Sequence, residues 1–186
     1  MTVEEWANAS KGERFAYAAS RHPLTIAFGY VTIFFFGMCV RSFLVSPKRH
    51  WDSAVTVLVH VALCIGFAMC GWDKLFLAMW LPISVASAAG SYLFYAQHNF
   101  PGVQYGGRDD WTYVTAALTS SSYIDTNPIM HWFTANIGYH HIHHLNHRIP
   151  FYRLPEAMEA MVELQSPTRT TLRPRDIAAC LSLIHI

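Results

Sequence analysis

Three apolar runs dominate the first half of the chain, at residues 24 to 40, 54 to 70 and 75 to 96, with polar links between them. A bilayer-spanning helix needs about 20 predominantly apolar residues. The second and third runs approach that length and meet at the tight polar turn Gly71-Trp72-Asp73-Lys74. They are expected to form a transmembrane helical hairpin, with Trp72 suited to the membrane interface. The first run sits at the lower limit and carries Thr25, Gly29, Thr32 and Gly37, which makes it the weakest span of the three. His60 lies in the middle of the second run. An ionisable residue at that depth is a functional candidate, but a neutral imidazole hydrogen-bonded across the hairpin is the expectation here.

The flanking regions follow a different pattern. Residues 3 to 20 read as one amphipathic helix that stops at Arg21-His22-Pro23, because proline cannot continue a helix. Beyond Ala96 the chain turns polar and aromatic through Gln97-His98-Asn99-Phe100-Pro101 and then a glycine-rich loop reaching Gly107. Residues 111 to 119 fit a short amphipathic helix. Pro128 suits the first turn of a helix over 129 to 145, and Pro155 starts another over 156 to 165. Pro167 and Pro174 bracket a loop, and no internal repeat is present. The pattern predicts an all-α integral membrane protein in which a transmembrane hairpin is accompanied by interfacial helices and a surface helix.

Composition supports that class. Of 186 residues, 53% are hydrophobic and 13% charged, against about 25% charged in a soluble domain. The net charge is near zero with no long run of one sign, so nothing points to nucleic acid or to an electrostatically steered partner. Cys39, Cys64, Cys70 and Cys180 are scattered without a CxxC pair, which argues against both a disulfide framework and a thiolate zinc site. The first residues are polar and acidic where a secretory signal would be basic and then apolar.

The chemistry concentrates in one place. Six of the eleven histidines lie between His131 and His147, five of them in the run His140-His141-Ile142-His143-His144-Leu145-Asn146-His147. On a helix, His140, His143 and His144 at i, i+3 and i+4 share a face and direct three imidazoles toward a common point. Imidazole suits iron, zinc, copper or nickel over magnesium or calcium. The competing reading is a solvated histidine patch that titrates near neutrality and binds nothing.

The segment NIGYHHIHHLNHRIPFYRL resembles the third histidine box of membrane fatty acid desaturases, where HxxHH precedes an IP-x-Y-x-L signature. The matching positions are His140, His143 and His144, then Ile149-Pro150, Tyr152 and Leu154, with Gly138 as a flank. FYAQHNF, residues 94 to 100, is similar to the family segment whose single histidine adds an iron ligand, which implies His98. The resemblance implies a C-terminal fragment of an acyl-lipid or omega-6 type bacterial enzyme, because the earlier boxes HxxxH and HxxHH are missing. His22, His50 and His60 fit neither spacing, and Met1-Thr2-Val3-Glu4-Glu5 is similar to the stretch that follows the second box. Residues 1 to 180 are thus expected to be the C-terminal part of one desaturase domain. The ending LSLIHI, residues 181 to 186, matches the translation of a transposon end used in sequencing libraries and is expected to be adapter-derived, which removes His185 from the site.

The family reading carries further expectations. Its boxes lie on the cytoplasmic side, so an even number of spans should separate the second box from the third. The run 24 to 40 is then interfacial, while Arg41, Lys48 and Arg49 lie inside and Lys74 outside. The parent protein is expected to hold two iron ions and to introduce a double bond into a fatty acyl lipid or acyl-CoA, using O₂ and electrons from ferredoxin or a cytochrome b5-like donor. The bacterial inner membrane is the expected location. No protein side chain breaks an unactivated C–H bond alone, so no catalytic residue is expected beyond the metal ligands. Asn136, four residues before His140, and Asp125 are candidates to orient ligand imidazoles, though a helix-surface or capping role is the stronger reading of each. Trp132, Phe133 and Tyr139 suit either an acyl channel or membrane-facing packing. His131, His141 and His147 are assigned to supporting or surface roles. The fragment itself is expected to be inactive. The alternatives are a histidine-box hydroxylase or carotenoid oxygenase, and a non-catalytic membrane protein binding zinc or copper.

Overall fold

A computed structural model describes residues 3–104 and 112–182. Residues 105–111, which include the end of the glycine-rich loop and Trp111, and the last four residues of LSLIHI lie outside the described residues. The chain divides into two compact units, Ala18–Tyr92, and Met1–Tyr17 with Leu93–Ile186.

The first unit is apolar and helical. Two helices are long and apolar enough to cross a membrane, Trp51–Cys70 and Trp72–Ala96, and Gly71 joins them at φ 134°, a conformation open to glycine. The apolar helix Tyr30–Val45 is shorter. Two spans and one lesser helix agree with the number expected from hydropathy. Gly29 packs against the second span so closely that a Cβ would stand 2.1 Å from the Ser91 hydroxyl oxygen. His60 corrects the hairpin expectation. Its Nε2 is hydrogen-bonded to the Tyr30 hydroxyl, on Tyr30–Val45 and not on the second span, and Cys64 Sγ lies 3.6 Å from the same nitrogen.

The second unit is built from short helices. The single amphipathic helix expected over 3 to 20 is in fact two, Val3–Asn8 and Lys11–Arg21. The break is a capping box: Ser10 N–H donates to Glu13 Oε2 at 2.8 Å, and Glu13 N–H donates to Ser10 Oγ at 3.3 Å. Tyr113–Thr119 forms as expected, capped by the Thr112 hydroxyl. Leu154–Ala160 is shorter than expected and is followed by a 3₁₀ turn, Val162–Leu164.

Two departures matter for the site. The all-α expectation misses a two-stranded parallel pair, β1 (Tyr123–Asp125) and β2 (Arg169–Thr171), with Ile124 opposite Thr170. The helix expected over 129 to 145 ends at Phe133, and Ala135 and Asn136 take left-handed conformations at φ 50° and 55°. A 3₁₀ turn, Ile137–Tyr139, then leads into a separate six-residue helix, His140–Leu145. The left-handed pair breaks the i to i−4 ladder and redirects the chain, so the histidines ride on a new axis. That helix is seated by a core of Ile142, Leu154 and Leu164, with Leu118, Tyr139, Leu145, Ile149, Ala157 and Met158 packed around it.

Candidate metal centre

Three imidazoles converge in the second unit. Nε2 of His140 lies 3.0 Å from Nε2 of His98 and 3.0 Å from Nε2 of His144, and the His98–His144 edge is 3.2 Å. His140 and His144 are one turn apart on the His140–Leu145 helix, which aligns them. His98 comes from the end of the Trp72–Ala96 helix, where Gln97 fixes the strand of chain: fully buried, it donates through Nε2 to the Ile137 carbonyl at 2.6 Å and accepts Ser122 N–H at its own carbonyl at 3.0 Å.

The orientation of His98 is set by its other ring nitrogen. Nδ1–H donates to the Ser120 carbonyl at 3.1 Å, which places the proton on Nδ1 and leaves the Nε2 lone pair facing His140 and His144. A neutral imidazole nitrogen either donates or accepts. Three mutually adjacent nitrogens therefore cannot all pair by hydrogen bonds, because at least one edge must set like against like. A cation taking all three lone pairs removes that conflict. With metal–nitrogen bonds of about 2.1 Å, nitrogens at right angles stand about 3.0 Å apart and at the tetrahedral angle about 3.4 Å. The edges of 3.0, 3.0 and 3.2 Å are short enough for one first-row metal ion to reach all three nitrogens.

Burial favours the neutral imidazole at His140 and His144. The pKa of His140 is pushed down to about 3, by desolvation first and then by the imidazoles of His144, His98, His143 and His141. That of His144 is lowered by desolvation and then by His98 and His143. His131 is likewise held down by burial, with Asp125 opposing.

Of the expected ligands, His98, His140 and His144 are brought together and His143 stands beside them. Its ring centroid is 5.8 Å from that of His140 and 6.0 Å from that of His144, and it is exposed. His141 is fully buried and hydrogen-bonds through Nε2–H to the Leu164 carbonyl at 3.2 Å, which ties the histidine helix to the 3₁₀ turn. Asn136 does not share a helical face with His140, since it precedes the 3₁₀ turn in a left-handed conformation, and its Nδ2 donates to the Phe151 carbonyl at 3.0 Å. Asp125 sits on β1 with its carboxylate 3.6 Å from the Arg169 guanidinium. Trp132 and Phe133 are exposed, whereas Tyr139 packs on the core.

Sequence reasoning missed the residues that hold these histidines. Ser120 acts through its backbone, so no side-chain type announces it. Gln97, Ile142 and Leu164 do their work by burial. Tyr113 donates its hydroxyl to the His144 carbonyl at 2.6 Å and closes the end of the histidine helix. Gly138 was visible as a flank, and its reason is now physical. A Cβ there would lie 2.6 Å from the Ile124 carbonyl oxygen and 3.0 Å from His131 Cε1. The Ile149 and Leu154 positions of the IP-x-Y-x-L signature are packing residues around Ile142.

The fold and site thus define a membrane protein with a compact histidine cluster presented beside a helical hairpin in sequence. Comparison with known proteins places it further. The fatty acid desaturase profile matches residues 4–175, and the chain belongs to the fatty acid desaturase family. It is 32% identical over 178 residues to a fatty acid desaturase of Bacillus subtilis (strain 168), covering 93% of this chain and 50% of that protein. It is 26% identical over 125 residues to the sn-1 acyl-lipid omega-3 desaturase (ferredoxin) of Nostoc sp. (strain 36), covering 64% of this chain and 34% of that protein. The chain spans half or less of the length of these curated relatives. No solved structure matches.

Proposed function

We propose that this chain is the C-terminal part of an O₂-dependent desaturase that introduces a double bond into a fatty acyl chain, with His98, His140 and His144 among the ligands of a di-iron centre. The observation that carries this reading is the Nε2 triad with its 3.0 to 3.2 Å edges. His143, exposed beside the triad, is the further ligand of the set and is suited to a second iron held jointly with histidines absent from this chain. Iron supplies the oxidising power toward an unactivated C–H bond that amino-acid side chains lack.

The residues of this chain perform the supporting work. Ser120 and Gln97 orient His98, and Tyr113 and the Ile142 core hold the histidine helix. Burial keeps His140 unprotonated. The two apolar helices suit a bilayer, the source of an acyl lipid substrate, and the positive residues Arg41, Lys48 and Arg49 support an inner-membrane protein with these residues on the cytoplasmic side. A one-electron carrier of the ferredoxin or cytochrome b5 class is the donor; the name of the Nostoc relative gives ferredoxin for that protein. Asp125 and Asn136 support the fold around the site through Arg169 and Phe151.

The test is a chimera. This chain is joined at the aligned boundary to the N-terminal half of the Bacillus relative and expressed in a host whose acyl chains are saturated at the product position. A new double bond by mass spectrometry, abolished by His98→Ala, is the expected result. An inserted, iron-loaded chimera that yields only hydroxylated chains, or no product, overturns the desaturase assignment.

A further inference from the structure

The first unit holds a second group of metal-ligating side chains, remote in sequence from the histidine run. His60 and Cys64 are one turn apart on the Trp51–Cys70 helix, with Nε2 and Sγ separated by 3.6 Å. Met79, on the Trp72–Ala96 helix, directs its Sδ to within 4.0 Å of the same Sγ. Met79 is buried at 5% exposure. His60 and Cys64 also line an apolar cavity of about 500 Å³, walled by Tyr30, Phe35, Phe76 and Trp80. No acidic residue lines that cavity.

We propose that His60, Cys64 and Met79 form a binding site for a soft monovalent cation of the copper(I) class, opening into this cavity. Three observations support it. The donor set of imidazole, thiolate and thioether selects copper(I) over hard cations. The two spacings about Cys64 suit a shared ion, since bonds of about 2.3 Å to sulfur and about 2.05 Å to nitrogen at 120° separate sulfur from nitrogen by about 3.8 Å and sulfur from sulfur by about 4.0 Å, against 3.6 and 4.0 Å here. The segment that supplies Met79, Leu75–Trp80, is π-helical, as is Tyr30–Val40, which carries the Tyr30 partner of His60, and π-helical turns are frequent at functional sites.

Charge also fits. On binding, the Cys64 S–H bond breaks, its proton leaves to the medium, and a copper–sulfur bond forms. No electron is transferred, and thiolate with copper(I) is neutral overall, as an apolar surrounding requires. The Tyr30 hydroxyl is hydrogen-bonded to His60 Nε2 and must release it. Tyr30 is therefore a competitor and not a ligand. The site is independent of the desaturase reading, because it shares no residue with the histidine triad.

The experiment is copper(I) titration of the full chain in lipid nanodiscs under anaerobic conditions, in competition with bathocuproine disulfonate. Cys64→Ser and Met79→Leu should each weaken binding by at least about tenfold, Tyr30→Phe should strengthen it, and Cys70→Ser, at an exposed thiol outside the site, should leave it unchanged. X-ray absorption of the wild-type complex should show two sulfur scatterers and one nitrogen, a readout that does not depend on the variants folding. Binding unaffected by Cys64→Ser, binding lost in Cys70→Ser, or a nitrogen-only absorption spectrum would each overturn the proposal.

Discussion

Gly138 has no room for a side chain, and this gives the sharpest expectation at the scale of single residues. Because a Cβ would press on the Ile124 carbonyl at 2.6 Å, against backbone that has little freedom to yield, Gly138→Ala should displace the 3₁₀ turn that aims His140. A loss of about 1–3 kcal/mol is expected for such overpacking, read as a lower thermal unfolding midpoint by circular dichroism, together with weaker metal binding. Proton linkage gives a second expectation. His140 and His141 have folded-state pKa values depressed by burial, whereas an unfolded histidine titrates near about 6.5. Below that pH the unfolded chain takes up protons that the fold refuses, so the stability of the metal-free protein should be full above about 6.5 and decline as pH falls toward 4. His141→Gln should flatten that decline, and an unfolding midpoint equally steep in pH would contradict the assignment. The ligand types themselves were legible: His140 and His144 are paired by helical spacing alone. His98 was not, because a partner 42 residues away is joined to them only by the fold, and its position was reached through family resemblance.

At the scale of elements, the histidine helix is too short to stand alone, since isolated helices below about 12–15 residues are marginal in water. Its six residues are held by packing of Ile142 on Leu154 and Leu164, and by the hydroxyl of Tyr113. Leu154→Ala should cost about 2–5 kcal/mol as a buried large-to-small change and should also lower metal affinity. Tyr152→Ala, in the same signature but 64% exposed, should have little effect on stability. The comparison of the two by thermal unfolding separates a packing motif from a binding motif. The apolar hairpin could be read from hydropathy because span length is a property of composition. The break after Phe133 could not, for Ala135 gives no hint of a left-handed backbone and Asn136 only a weak one. The three-residue strands β1 and β2 are equally silent, being too short to show a period of two. The Ser10–Glu13 capping box was written in the sequence as S-x-x-E and marks where the first helix ends and the second begins.

For the whole molecule, the proposed function calls for more histidines than this chain brings together. Three imidazoles converge, a fourth stands beside them, and the chain covers half or less of its curated relatives. Expressed alone in a membrane, the 186-residue chain should insert but form no unsaturated product, which fatty acid analysis of the host lipids checks. Its triad should nevertheless hold metal. The most direct measurement is anaerobic iron(II) titration of the purified chain in nanodiscs, with X-ray absorption of the bound ion. Imidazole-coordinated iron whose binding falls at least about tenfold on substitution of any one of His98, His140 or His144 by alanine is the predicted result. Iron binding that survives His98→Ala unchanged would contradict the account, for the centre would then not be the one that the fold assembles.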